Sequence, residues 1–139
     1  MLPALFSRVW VTETVLGECL AGTAHDECEL IQAAVRAGAI GVLPLANSHP
    51  AWGVDAGEAS AIASALALNT GVVMDDRAGR RVAGRLGLPV IGTLGVLVLS
   101  KRAGLVSEIG PWIASLVKSG YYLADGVIQD ALRLAGEFP

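Results

Sequence analysis

The chain has 139 residues, a net charge of −3 and 53% apolar residues, enough for one domain with a real core. The acidic balance excludes a surface coated for nucleic acid, and two cysteines, Cys19 and Cys28, exclude a disulfide framework and suit a reducing compartment. The longest apolar run, around residues 90–99, is broken by Gly and Thr and is too short to span a bilayer, and the first six residues carry no basic leader, so a soluble cytoplasmic protein is expected.

In chain order, FSRVWV at residues 6–11 predicts a strand with Val9 and Val11 on one side, and Thr12 offers an N-cap for a helix through Leu20 with Val15, Leu16, Cys19 and Leu20 as its apolar stripe. Residues 26–37 predict a second helix stopped by Gly38. Residues 40–45 predict a strand, and residues 47–53 a polar turn containing His49 and Trp52. The clearest helix is Ala56–Leu68, with Ala59, Ile62, Ala63 and Leu66 on one face and Asp55 and Glu58 at the spacing of a capping box.

The stretch GVVMDDRAGRRVAGRLGLPVIGTLG, residues 71–95, holds the densest chemistry. Val72, Val73 and Met74 predict a strand buried on both faces, with Asp75 and Asp76 at its carboxyl end, where open parallel sheets collect ligands. Arg77, Arg80, Arg81 and Arg85 follow at helical spacing, with Val82, Ala83 and Leu86 as the apolar stripe and Gly87 as the stop. Residues 89–91 predict another strand, and Thr93 an N-cap for a helix ending at Lys101 and Arg102. Residues 107–119 predict a helix, residues 121–123 a short strand, and Asp125 the cap of a last helix lined by Val127, Ile128, Ala131, Leu132 and Ala135. Strands alternating with helices at this spacing indicate an α/β fold with a parallel sheet.

Phosphate-loop, nucleophile-elbow and zinc-helix motifs are absent from the sequence. His25, Asp26 and Cys28 without a partner cluster read as a loop and a helix start rather than metal ligands. Glu18, Glu58, Asp75 and Asp76 remain, acids on three separate elements that such a fold can bring to one end of its sheet. Taken singly, Glu18 is a rim carboxylate, Glu58 a cap and Asp76 an N-cap. Taken together, convergent carboxylates repel one another and call for a hard divalent cation such as Mg2+ or Mn2+. Between Arg77 and Arg102 there are six basic residues and no acid. Acids for a metal beside arginines for phosphates is the pattern of a metal-dependent nuclease.

The segments VTETVLGECL, DAGEASAIASALALNTGVVMDDRAGRRVAGRLGLPVIGTLGVLVLSKRAGLV and YYLADGVIQDALRLAGE resemble the DUF3368 subgroup of PIN-domain proteins over nearly the whole chain. The resemblance implies a single PIN-like domain over residues 1–139: a three-layer α/β fold with a central parallel sheet flanked by helices, here lacking the usual first strand and its Asp. It implies a Mg2+- or Mn2+-dependent ribonuclease acting on single-stranded RNA, often the toxin of a toxin–antitoxin pair, dimeric and neutralised by a small antitoxin. By that likeness Glu18, Glu58 and Asp75 or Asp76 serve as catalytic metal ligands, with Asp75 favoured because Asp76 also caps a helix. Arg77, Arg80, Arg81, Lys101 and Arg102 are the expected RNA-binding residues. The alternative is a catalytically inactive scaffold of the same fold that acts as a homodimer or partner-binding module.

Overall fold

The computed structural model describes residues 1–22, 25–44 and 51–138, with residues 25–27 described by their backbone only. In chain order the first elements are α1 (Leu2–Leu5), β1 (Trp10–Thr12), α2 (Glu13–Ala21), α3 (His25–Arg36), β2 (Gly41–Leu43) and α4 (Ala56–Leu68). They are followed by β3 (Val72–Val73), α5 (Arg77–Arg85), β4 (Val90–Ile91), α6 (Thr93–Arg102), α7 (Gly110–Lys118) and α8 (Asp125–Leu134). The chain forms two compact units, one of residues Phe6–Ile91 and one of Met1–Leu5 with Gly92–Pro139.

In the first unit the strands fall into two parallel pairs, β1 with β2 and β3 with β4. The α/β class and the parallel pairing expected from the sequence are both present. Trp10 pairs with Gly41 across the first ladder, and its ring occupies the space a side chain at Gly41 would need. Helix α4 packs against both β1 and β3, and the core forms beneath it from Ile62, Ala65, Val72, Met74, Val82 and Ala83. Asn69 closes α4 in the left-handed conformation at φ 50°, an angle that asparagine tolerates better than most residues.

The second unit is helical. Leu94, Leu97 and Val98 of α6 meet Ile109, Ile113 and Ala131 in a separate core. Glu137 fastens this unit. Its carboxylate accepts from the Ile109 and Gly110 amides at 2.6 and 2.9 Å, at the start of α7, and from Lys101 Nζ at 2.8 Å. The Lys101 hydrogen bond, with help from the two amides, holds the Glu137 carboxyl below the usual carboxylate range.

Several sequence expectations are corrected. Val73 is 46% exposed, so β3 is not buried on both faces. Side chains alternate along a strand, and Val72 and Met74 take the core side. The strand expected at residues 6–11 is β1, three residues at the far end of that stretch, and the one expected at 40–45 is β2, with residue 45 outside the described residues. Most of the turn at 47–53, including His49, and the side chains of His25 and Asp26 also lie outside them. Gly92, not Thr93, is the N-cap of α6, and Asp125 lies inside α8 after an Ala124 cap. Helix α7 starts at Gly110, with Pro111 setting its first turn, and residues 121–123 form no strand. Leu86 and Val127 are 39% and 53% exposed, at the ends of the stripes assigned to them.

Candidate active site

Three helix starts build the site. Thr12 begins α2 by accepting from the Val15 amide at 3.2 Å, and the same hydroxyl lies 2.7 Å from Ser60 Oγ of α4 in a buried contact. Ser60 Oγ donates in turn to the Gly57 carbonyl at 2.7 Å. The capping box at α4 is complete: Glu58 N–H donates to Asp55 Oδ1 at 2.9 Å and Asp55 N–H to Glu58 Oε2 at 3.4 Å. At α5, Asp76 Oδ2 accepts from the Gly79 amide at 2.8 Å. These caps fix the positions from which the acids project.

The acids meet. Glu18 from α2, Glu58 from α4 and the Asp75–Asp76 pair after β3 line one cavity of about 290 Å3, together with Asp55 and Gly57. Val15, Ala61, Val73 and Met74 supply its apolar lining, so the exposed face of Val73 is the cavity face. Burial raises the Glu58 carboxyl above the ordinary carboxylate range, and the charges of Asp55, Asp76 and Glu18 push it further, against the pull of the Asp55 amide. Excess negative charge therefore gathers at this cavity.

Sequence reasoning passed over two residues here, Gly57 and Gly79, and expected of a third, Arg80, only contact with RNA. A side chain at Gly57 would collide with the Glu18 carboxylate, so α4 leaves open the place where Glu18 rests. A side chain at Gly79 would collide with the Met74 sulfur, so α5 can close on the end of β3. Arg80 Nη1 donates to the Met74 carbonyl at 2.9 Å, one residue before the aspartate pair. A glycine two residues after a cap, and an arginine one helical turn after another, were the available signals.

Oxygen donors suit a hard divalent ion, and a cavity of about 290 Å3 is large enough to admit one. Yet among the described residues no three His, Cys, Asp or Glu side chains are grouped closely enough to hold an ion directly.

The family model for DUF3368, described as a PIN domain, matches residues 1–137. The chain belongs to the DUF3368 family of PIN domains. No curated protein and no solved structure matches it. Membership of this PIN-domain family supports a nuclease-type role directed at RNA, and PIN domains generally use divalent metal ions. Among the described residues no helix of this PIN domain is long and apolar enough to cross a membrane.

The basic residues expected to bind RNA divide. Arg77 and Arg81 are exposed on α5, and Arg80 is tied to the Met74 carbonyl. Lys101 and Arg102 belong to the other unit, where Lys101 pairs with Glu137 and Arg102 Nη2 donates to the Leu134 carbonyl at 3.4 Å.

Proposed function

We propose that this PIN domain is a Mg2+- or Mn2+-dependent endoribonuclease acting on single-stranded RNA. The observation that carries the reading is the meeting of Glu18, Glu58, Asp75 and Asp76, from three elements, at one cavity with an arginine-rich helix directly behind it. Those four carboxylates would hold the ion, Asp76 while also accepting from the Gly79 amide. When bound, the ion supplies an activated water and neutralises charge developing on the phosphate. The protein's own part is to fix the acids: Glu58 by the capping box, Glu18 by its seat on Gly57, and the aspartate pair by the grip of α5 on β3. Arg77 and Arg81 hold flanking phosphates. Family likeness alone extends the proposal to a cytoplasmic toxin that dimerises and is neutralised by an antitoxin.

A second reading has its own observation. No three described acids are grouped tightly enough for one ion, and Glu58 and Asp76 both serve as caps, which favours an inactive scaffold acting as a homodimer or partner-binding module. Incubating purified protein with labelled single-stranded RNA and Mg2+ or Mn2+ separates the two. The enzyme predicts metal-dependent cleavage that disappears in the Asp75→Asn, Asp76→Asn double variant. The scaffold predicts intact RNA at every metal concentration and a melting temperature that rises with protein concentration.

A further inference from the structure

Helix α5 carries four arginines in nine residues, and the structure sorts them into two kinds. Arg80 serves the fold through its contact with the Met74 carbonyl. Arg77, Arg81 and Arg85, exposed as Arg80 also is, belong to neither of the ion pairs found among the described residues. They recur at i, i+4 and i+8, so they share one stripe along the helix, with an axial step of about 6 Å from one to the next. That step is close to the separation of neighbouring phosphates on a nucleic-acid strand.

Stability does not account for Arg77 and Arg81, although Arg85 stands in the last turn, where the helix dipole favours a cation. Like charges one turn apart repel, and a cation in the first turn opposes the positive end of the helix dipole. The first turn of α5 contains no acid, and the sequence from Arg77 to Arg102 offers none. The helix is secured by its Asp76 cap and by buried Gly79, Val82 and Ala83, none of which needs the exposed arginines. The stripe starts at the residue after Asp76, which lines the acidic cavity.

We infer that Arg77, Arg81 and Arg85 form a track for consecutive phosphates of a single RNA strand, leading away from the acidic cavity on one side of the bond to be cut. The inference rests on the ribonuclease reading and adds Arg85 to the interface while removing Arg80 from it. A small anion would engage one arginine and leave the others unused, whereas a flexible chain of evenly spaced anions uses all three. A single strand can also bend from the helix surface into the cavity, which a stiff duplex cannot do.

The test is fluorescence anisotropy of a labelled oligouridylate with the whole protein in EDTA, which stops metal chemistry, over a range of salt concentrations. Each of Arg77→Gln, Arg81→Gln and Arg85→Gln is expected to lower the slope of log affinity against log salt by about 0.7, the contribution of one phosphate contact on a single strand, and the triple variant by about 2. A triple Arg→Lys variant is expected to keep the slope, because a point charge serves at a phosphate. An unchanged affinity and slope in the triple Gln variant would overturn the track, as would loss of the slope with lysines, tighter binding to duplex RNA, or a preference for a polyglutamate peptide over RNA. If the slopes fall as expected but no RNA is ever cut, the nuclease reading fails and the track stands. If RNA is cut and the slopes do not move, the track fails and the nuclease reading stands.

Discussion

The carboxylate of Glu18 occupies the space that a side chain at Gly57 would fill. Two elements far apart in sequence thus share one position, and the smallest residue on α4 holds it for an acid from α2. Alanine at residue 57 is compatible with the helix and raises its propensity by up to about 1 kcal/mol, so Gly57→Ala is expected to melt in EDTA at or above the wild-type temperature. It is also expected to displace Glu18 and to abolish the stabilisation that added Mn2+ gives the wild type. Thermal melts with and without Mn2+ measure both effects.

Glu58 is expected to cost stability when no cation is present. Its carboxyl is raised in the folded state, so its contribution is favourable below the ordinary value of about 4.3 and is lost as pH rises through the raised one. Glu58→Gln keeps a capping-box partner and removes the charge. In EDTA near neutral pH it is expected to melt at or above the wild-type temperature, and it should gain less than the wild type from Mn2+. Glu58→Ala lacks even the cap and should melt lower.

Asp76 has two duties that substitution separates. Asn retains the acceptor for the Gly79 amide, so Asp76→Asn is expected to fold with wild-type stability while RNA cleavage falls. Asp76→Ala loses the cap as well, at about 1 kcal/mol, which denaturant unfolding would detect. Equal stability of the two variants would show that the cap contributes nothing.

Glu137 offers the opposite pH dependence. Its carboxyl is lowered by the Lys101 hydrogen bond, so the stability it contributes is present above about pH 4.3 and is lost as pH falls through the lowered value. Glu137→Gln is expected to destabilise the protein near neutral pH by on the order of 1 kcal/mol. The gap between variant and wild type should close in acid, which a series of melts across pH would display.

The sequence made some features plain and hid others for physical reasons. Helix α4 and the caps at Thr12, Asp55 and Asp76 were legible because their signals are local, a side chain three residues from the amide it accepts. The four acids were legible as a group because a parallel α/β fold collects strand ends, and they do line one cavity. Strand limits were not, because β3 and β4 have two residues each and show no period. Gly57 and Gly79 were hidden because what matters is the space they leave for a neighbour on another element. Arg80 was legible as a basic residue, but its reach back to the Met74 carbonyl was not, because that contact depends on how α5 folds onto the strand.

The hydroxyl of Thr12 has one further consequence. The Val15 amide must give its proton to Thr12, and Ser60 spends its own on the Gly57 carbonyl, so the remaining proton in this wire can only run from Thr12 to Ser60. A polarity is thereby imposed on the joint between the helices bearing Glu18 and Glu58. Serine at residue 12 preserves that polarity, whereas valine, of nearly the same shape, would remove both the cap of α2 and the hydroxyl that ties it to Ser60 of α4.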